Sequence, residues 1–232
     1  MRGKIIVFDG LDASGKKTQA ELLQQKLIKH GFSAEIFHFP QYEEFFGSLV
    51  AKYLKEEFGK KEALSKEFVA LLYAIDRYSI KKKIEEHLVQ GKAIIMDRYS
   101  ESNFAFQSAA FEGKEKKEFI EWIKSTESRL PHSDIVFFLD MPRKAAEQLI
   151  QSRQREKDQH EKDSAFLDRV RQTYLGLSKS EKNWHIIKCA EKKGNDWKIK
   201  SIQEIHEIIW KKIAKLFVLN YTLKEFAEQK AK

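Results

Sequence analysis

A short apolar, β-branched run, Lys4-Ile5-Ile6-Val7-Phe8-Asp9, stops at Gly10-Leu11-Asp12-Ala13-Ser14-Gly15-Lys16, and an amphipathic stretch begins there. The run reads as a fully buried strand. The stretch from Lys17 to Lys29 sets Ala20, Leu23 and Leu27 on one helical face. A strand that turns through a G-x4-G-K segment into a helix has one well-understood use. The glycines let successive backbone N–H groups point at an anion, and the helix offers the positive end of its dipole. Lys16 is then placed to reach the β and γ oxygens of a nucleotide. Gly10, Leu11, Asp12, Ala13, Ser14, Gly15, Lys16, Lys17 and Thr18 are therefore the expected ATP-binding residues. The position after the lysine ordinarily carries a Ser or Thr whose hydroxyl binds Mg²⁺. Here it is Lys17, and Thr18 comes one residue late. An ammonium neutralises phosphate charge but ligates no metal, so carboxylates, water and ATP itself must hold the ion.

The same alternation continues along the chain. Ala34 to Phe39, Ala93 to Asp97, Asp134 to Asp140 and Trp184 to Lys188 read as further strands. Helical periodicity fills Glu44 to Phe58, Ser65 to Val89, Glu101 to Arg129, the Phe166/Val170/Tyr174 stripe and the Ile202/Ile205/Ile209/Ile213 stripe. Strands alternating with helices predict an α/β fold: a five-stranded parallel sheet covered on both faces, with ligands beyond the carboxyl ends of its strands. Residues 151–161 are almost wholly polar and read as a mobile surface segment. The organisation expected is one domain over residues 1–217, with a lid at about 151–162 and a polar tail over 218–232.

Composition narrows the setting. The 232 residues carry 43 Lys+Arg against 35 Asp+Glu, a net +8 that favours anionic partners. The lysines are dispersed beside glutamates, with no arginine-rich or aromatic-interleaved stripe, so nucleic acid is not the expected partner. No apolar run approaches the length of a membrane span, and the amino terminus has no signal-peptide pattern. One cysteine, Cys189, excludes an intramolecular disulfide and a cysteine-built zinc cage. A cytoplasmic location is expected.

Four segments resemble the thymidylate kinase family. Phe8-Asp9-Gly10-Leu11-Asp12-Ala13-Ser14-Gly15-Lys16-Lys17-Thr18-Gln19 resembles its phosphate loop. Asp97-Arg98-Tyr99-Ser100-Glu101-Ser102-Asn103-Phe104-Ala105-Phe106-Gln107 resembles its D-R-Y-x-x-S-x-x-A-Y-Q signature. Leu71-Leu72-Tyr73-Ala74-Ile75-Asp76-Arg77 resembles its L-L-F-x-x-x-R helix, and Phe39-Pro40 its F-P segment. Order and spacing agree over about residues 3–215. The resemblance implies a P-loop kinase with a mobile lid that moves the γ-phosphoryl of ATP, with Mg²⁺, onto dTMP, as a homodimer.

It also implies roles. Asp12 approaches the acceptor sugar and the phosphate–magnesium region. Arg98 holds the acceptor phosphate by its bidentate fork. Tyr73 stacks on thymine, Arg77 contacts a base carbonyl one turn later, and Asn103 reads the base edge by a paired donor and acceptor. Phe106, where many members carry Tyr, packs beneath the sugar. Phe39 and Pro40 wall the methyl side, and Tyr42 nears the acceptor phosphate. Ser102 and Gln107 complete the acceptor set. Ala13 stands where an arginine can occur, so the lid supplies the catalytic arginine, Arg153 or Arg155. Asp97 and the lid-end Glu161 are the implied replacements for the missing hydroxyl ligand. Each type also has a structural use: Asp12 as a turn former, Arg98 pairing with Asp97, Tyr73 as core, Asn103 as a helix cap. Two other functions stay open, a kinase for another (deoxy)nucleotide and a nucleotide sensor whose catalysis Lys17 has impaired.

Overall fold

A computed structural model describes residues 2–60, 63–146, 164–194 and 196–230. Arg153, Arg155, Glu161 and the expected lid lie outside these described residues. The central sheet is built from β1 (Lys4–Asp9), β2 (Ala34–His38), β3 (Ala93–Asp97), β4 (Ile135–Asp140) and β5 (Trp184–Lys188) in the order β2-β3-β1-β4-β5. All four pairings are parallel, with Val7 opposite Met96 and Val136. The five-stranded parallel sheet expected from the apolar runs is present. β1 lies in the middle, so the turn that follows it opens at the centre of the carboxyl edge.

The sheet separates two apolar layers. On one side Val7, Ile94, Met96 and Phe138 pack against Leu88, Val170, Tyr174 and Trp184. On the other, Ile6, Phe8, Ile95 and Phe137 pack against Leu23, Leu27, Ile205 and Ile209. Alternate residues of the central strands thus feed opposite cores, which is why β1, β3 and β4 are apolar over runs of four or five residues, while the edge strands β2 and β5 admit Glu35, His38, His185 and Lys188. The covering helices are α1 (Lys16–Lys29), α2 (Phe45–Leu54), α3 (Lys66–Ser79), α4 (Lys81–Val89), α5 (Ser100–Ser108), α6 (Gly113–Thr126), α7 (Ser164–Ser180) and α8 (Ile202–Lys230). Ser65 caps α3 as its sequence predicts, its Oγ accepting from Phe68 N at 3.1 Å.

Several boundaries differ from the periodicity. The expected helix over 65–89 is two, parted at Ile80 (φ −112°, ψ 12°), beside which the Ser79 hydroxyl bonds back to the Asp76 carbonyl at 2.7 Å. The expected helix over 101–129 breaks between Ser108 and Gly113, where Gly113 takes a φ of +52°. Apolar spacing continues across both breaks because both halves still face the core. A hairpin, β6 (Ala190–Lys193) with β7 (Asp196–Ile199), follows β5 and was not foreseen. Its strands carry too few apolar residues to register as strands. α8 extends through the segment read as a tail.

Behind the sheet Glu101 is 5% exposed, and its carboxyl is pushed up to about 7. Burial is the main cause, and the nearby Asp9 and Glu127 charges add to it, against a hydrogen bond from Ser133. The folded state therefore holds this proton to higher pH than the unfolded chain. Its contribution is full at low pH and is lost as pH rises through about 7. Glu101→Gln mimics the protonated form. Its stability advantage over the parent should widen by about 2 kcal/mol between pH 5.5 and 8.5. Urea melts at the two pH values check this; a constant gap refutes it.

Candidate active site

The phosphate loop closes tightly. Gly10 (φ +139°), Ala13 (φ +58°) and Gly15 (φ +90°) turn the backbone through conformations that L side chains rarely adopt. A Cβ on Gly10 would lie 2.7 Å from the Leu139 carbonyl oxygen, so the loop can lean on β4 only with glycine there. Lys16 opens α1, is 7% exposed, and donates to the carbonyls of Leu11 (2.9 Å) and Gly10 (3.3 Å). Its Nζ stands 3.8 Å from Asp12. Burial, foremost, and Arg98 pull its pKa down, while Asp12, Asp97 and Asp9 act to keep it charged. Lys17 points elsewhere: its side chain is 71% exposed, 4.0 Å from Glu21. It adds charge near the loop without entering it. Thr18, one position later, is half-buried on α1.

Arg98 is the hub that joins this loop to α5. Its backbone sits at φ +67°, outside the usual range for a residue with a side chain, and its N–H donates to Phe8 O at 3.0 Å. The guanidinium donates to Asp12 Oδ1 (2.6 Å), Gly10 O (3.0 Å) and Ser102 Oγ (3.2 Å), and lies 3.5 Å from Asp9. It also covers the Phe106 ring at 5.2 Å. Its ion-pair partners are thus Asp12 and Asp9 rather than Asp97, the pairing the sequence suggested. Asp97 instead meets His38, Nδ1 to Oδ2 at 3.1 Å. Burial works against the Asp97 anion, but His38, Lys16 and Arg98 outweigh it and hold the carboxyl below its ordinary value.

Asp9 anchors the arrangement from beneath. Its Oδ1 accepts from Gly10 N (2.9 Å), Ser102 Oγ (2.7 Å) and the Tyr174 hydroxyl (2.6 Å). Its Oδ2 is buried with no partner. Burial raises its pKa, opposed by Arg98. Ser102 is therefore tied to this carboxylate rather than turned outward.

The acceptor side is drier than the resemblance suggests. Arg77 and Glu127 are each 2% exposed. Arg77 donates from Nε to Glu127 Oε2 at 2.9 Å and from Nη2 to Glu127 Oε1. Asn103 Nδ2 donates to Glu127 Oε1 (2.6 Å) and to Ala70 O (3.0 Å), while its Oδ1 is buried without a partner. Both amide protons are spent inside the fold. The paired donor-and-acceptor reading of Asn103 is corrected: only its carbonyl is left for a base, because Glu127 claims the donor. The same carboxylate takes Nε and Nη2 of Arg77, so the base carbonyl that the resemblance implies would find only Nη1 there. Asn103 is no helix cap either, since it lies within α5.

Tyr73, on α3, is half-buried, with its ring 6.4 Å from Tyr53. Burial raises its hydroxyl's pKa, and Tyr42, Arg98 and Asp12 are close enough to act on it. It thus faces the loop as well as the Tyr53 cluster. Phe39 is 6% exposed and packs on Tyr99 at 5.8 Å; the peptide bond to Pro40 is cis. Tyr42 is 47% exposed. Gln107 is half-buried on α5. Asp9, Tyr174, Glu127 and His38 were not singled out from sequence. Asp9 had a visible signal, a carboxylate at the end of a buried strand. Tyr174 read only as part of an apolar stripe, and Glu127 and His38 gain their partners solely by folding.

A glycine-lined anion cradle closed by a buried lysine, at the carboxyl edge of a parallel sheet, places this chain among the P-loop nucleotide-binding α/β proteins. Arg98 joins that loop to a second helix, α5, through Gly10 O, Asp12 and Ser102. The thymidylate kinase family model matches residues 8–197. Human thymidylate kinase is 31% identical over 211 residues, which span 90% of this chain and 88% of that protein. A probable thymidylate kinase from Pyrococcus abyssi is 32% identical over 211 residues, 90% of this chain and 95% of that one. The solved thymidylate kinase of Candida albicans superposes with a TM-score of 0.73 at 28% identity, covering 92% of each chain. The chain belongs to the thymidylate kinase family.

Proposed function

We propose that the chain transfers the γ-phosphoryl group of ATP to dTMP, giving dTDP and ADP for dTTP synthesis. One observation carries the reading: Arg98 binds the phosphate loop and α5 at once, through Gly10 O, Asp12 and Ser102. A donor seated on the loop and an acceptor seated along α5 therefore meet at this guanidinium. ATP lies on the loop N–H groups, and Lys16 exchanges the carbonyls of Gly10 and Leu11 for β and γ oxygens. Arg98 gives up Asp12 for the acceptor phosphate, whose bidentate geometry it matches. That phosphate's second pKa is near about 6, so it attacks as an anion and needs no general base. An oxygen of dTMP bonds to Pγ as the bond from Pγ to the β-bridging oxygen breaks.

The buried Asn103 Oδ1 is an acceptor without a donor. The imide N–H of thymine supplies one, with Tyr73 on the ring face and Phe106 under the sugar. Mg²⁺ fits the residues present, since magnesium needs one or two carboxylates and keeps its water and phosphate ligands. Asp97 is ionised, and its Oδ1 lies opposite the oxygen that meets His38. Bound there, the ion would neutralise the donor phosphates. Arg153 or Arg155, with Glu161, completes the proposal from the lid. The setting proposed is cytoplasmic; among the described residues no helix is long and apolar enough to cross a membrane.

An ADP-release assay with ATP and Mg²⁺ tests the reading across dTMP, dUMP, UMP and dGMP. dTMP should turn over fastest; equal or faster UMP or dGMP would reject the thymine assignment. Nucleotide binding with no turnover for any acceptor would favour the sensor instead.

We also propose a homodimer. Phe68, Leu71 and Ile75 form an i, i+3, i+7 stripe on α3 that remains 39–43% exposed. Sedimentation equilibrium should give twice the 27.3 kDa chain mass, and Leu71→Asp should give the single mass. A parent protein that sediments as a monomer removes the proposal.

A further inference from the structure

A cavity of about 280 Å³ lies between α5, the end of α6, α7 and the segment leading into β4. Pro131 to Ser133 lead into β4, Asn183 precedes β5 and Tyr99 to Glu101 follow β3, so the cavity runs beneath the start of α5 and shares Glu127 with the Arg77 and Asn103 cluster. Three rings, Tyr99, Phe104 and Trp184, supply flat apolar walls. A carboxyl stands among them. Glu101 Oε1 accepts from Ser133 Oγ at 2.5 Å and the carboxyl takes its own backbone N–H, while Oε2 is buried with no partner on another residue. A buried acceptor that no other residue bonds is costly to leave unmatched, so a donor arriving from the cavity is favoured.

The sign of the ligand follows from the surroundings. Of the carboxyls on the wall, Glu127 is held by Arg77, and Glu181 by Lys124 at 2.9 Å, which Glu121 also holds at 3.0 Å. Among the described residues no ion pair joins Glu101 to a cation, so an arriving cation meets an unmatched carboxyl there. Among the described residues no group of three His, Cys, Asp or Glu side chains could hold a metal ion. An organic cation with a flat body matches both the carboxyl and the rings.

We propose that this cavity is a second ligand site, which takes a small flat cation, an amidinium or protonated aromatic amine, with its N–H donors on Glu101 Oε2. The site needs neither ATP nor an acceptor. Calorimetric titration of the nucleotide-free protein at pH 8.5, above the value of about 7 to which burial raises Glu101, with benzamidine and, separately, with neutral benzamide tests it. Benzamidine should bind one-to-one and about tenfold or more tighter than benzamide, because only the amidinium makes charge-assisted bonds. Glu101→Gln should lose the same factor. In methyl NMR of the parent protein, Leu130 and Leu177, which line the cavity, should shift on adding benzamidine. Equal binding of the two probes, unchanged binding by the variant, no heat at millimolar benzamidine or silent Leu130 and Leu177 methyls would each overturn the proposal. The probe comparison and the methyl shifts need no variant, so they decide the matter even if Glu101→Gln does not fold. No turnover is measured, so the outcome is independent of the phosphotransfer reading.

Discussion

Lys16→Met lowers kcat by about three orders of magnitude while the protein still folds. The loop places the ammonium against its own carbonyl mouth, at 2.9 Å from Leu11 O and 3.3 Å from Gly10 O. In phosphoryl transfer the protein acts by positioning and by stabilising charge on the moving oxygens, so removing one fixed cation there costs about 10²–10³ or more. Met keeps the length of the apolar stem in a site that is 7% exposed, so packing survives. Arg98 is held at the loop by Asp12 and Gly10 O and, on the proposed mechanism, is committed to the acceptor phosphate, so it does not replace Lys16. Single-turnover rates with dTMP and circular dichroism spectra check the two halves of the claim. A loss under tenfold with an intact fold would remove Lys16 from the chemistry.

Arg77→Met destabilises the fold by about 3–5 kcal/mol, because it strands the Glu127 carboxylate in a site that is 2% exposed. The freed carboxylate retains Asn103 Nδ2 at 2.6 Å, which does not neutralise it. Changing both partners removes the stranded charge, so Arg77→Met/Glu127→Gln should recover most of the loss. Urea melts of the two single variants and the double variant measure the coupling. A loss below about 1 kcal/mol for Arg77→Met would mean that the pair is not desolvated as its burial implies.

The fold was largely legible because its signals are local. The three central strands β1, β3 and β4 each hold a run of four or five apolar residues, the edge strands β2 and β5 are shorter in apolar content, and Pro40, Gly91 and Pro131 mark the ends of neighbouring elements. Where signals were weak, boundaries moved. The breaks at Ile80 and between Ser108 and Gly113 left the apolar spacing intact, so periodicity could not show them. The β6–β7 hairpin is held by backbone pairing between largely polar strands, which leave no apolar pattern to read.

The site was legible as a set of residue types and spacings and much less as a set of contacts. The phosphate loop is an exception, since consecutive backbone atoms build it and seven residues contain the whole device. Arg98, Tyr73 and Asn103 were found through their motifs, but what each one touches depends on partners far away in the chain. Glu127 is 50 residues from Arg77 and 24 from Asn103, yet it decides which of their donors remain for a ligand. His38 reaches Asp97 across 59 residues, and Tyr174 reaches Asp9 across 165.

What the chain's sequence determined alone is the sheet, its helical cover and the anion cradle after β1, because short-range sterics and apolar periodicity suffice for them. Tertiary structure alone decided the hydrogen-bond bookkeeping: which carboxylates are buried, which cations they hold, and which polar atoms are left over. Buried charges must be matched with whatever the fold brings within reach, and no pattern along the chain encodes that distance.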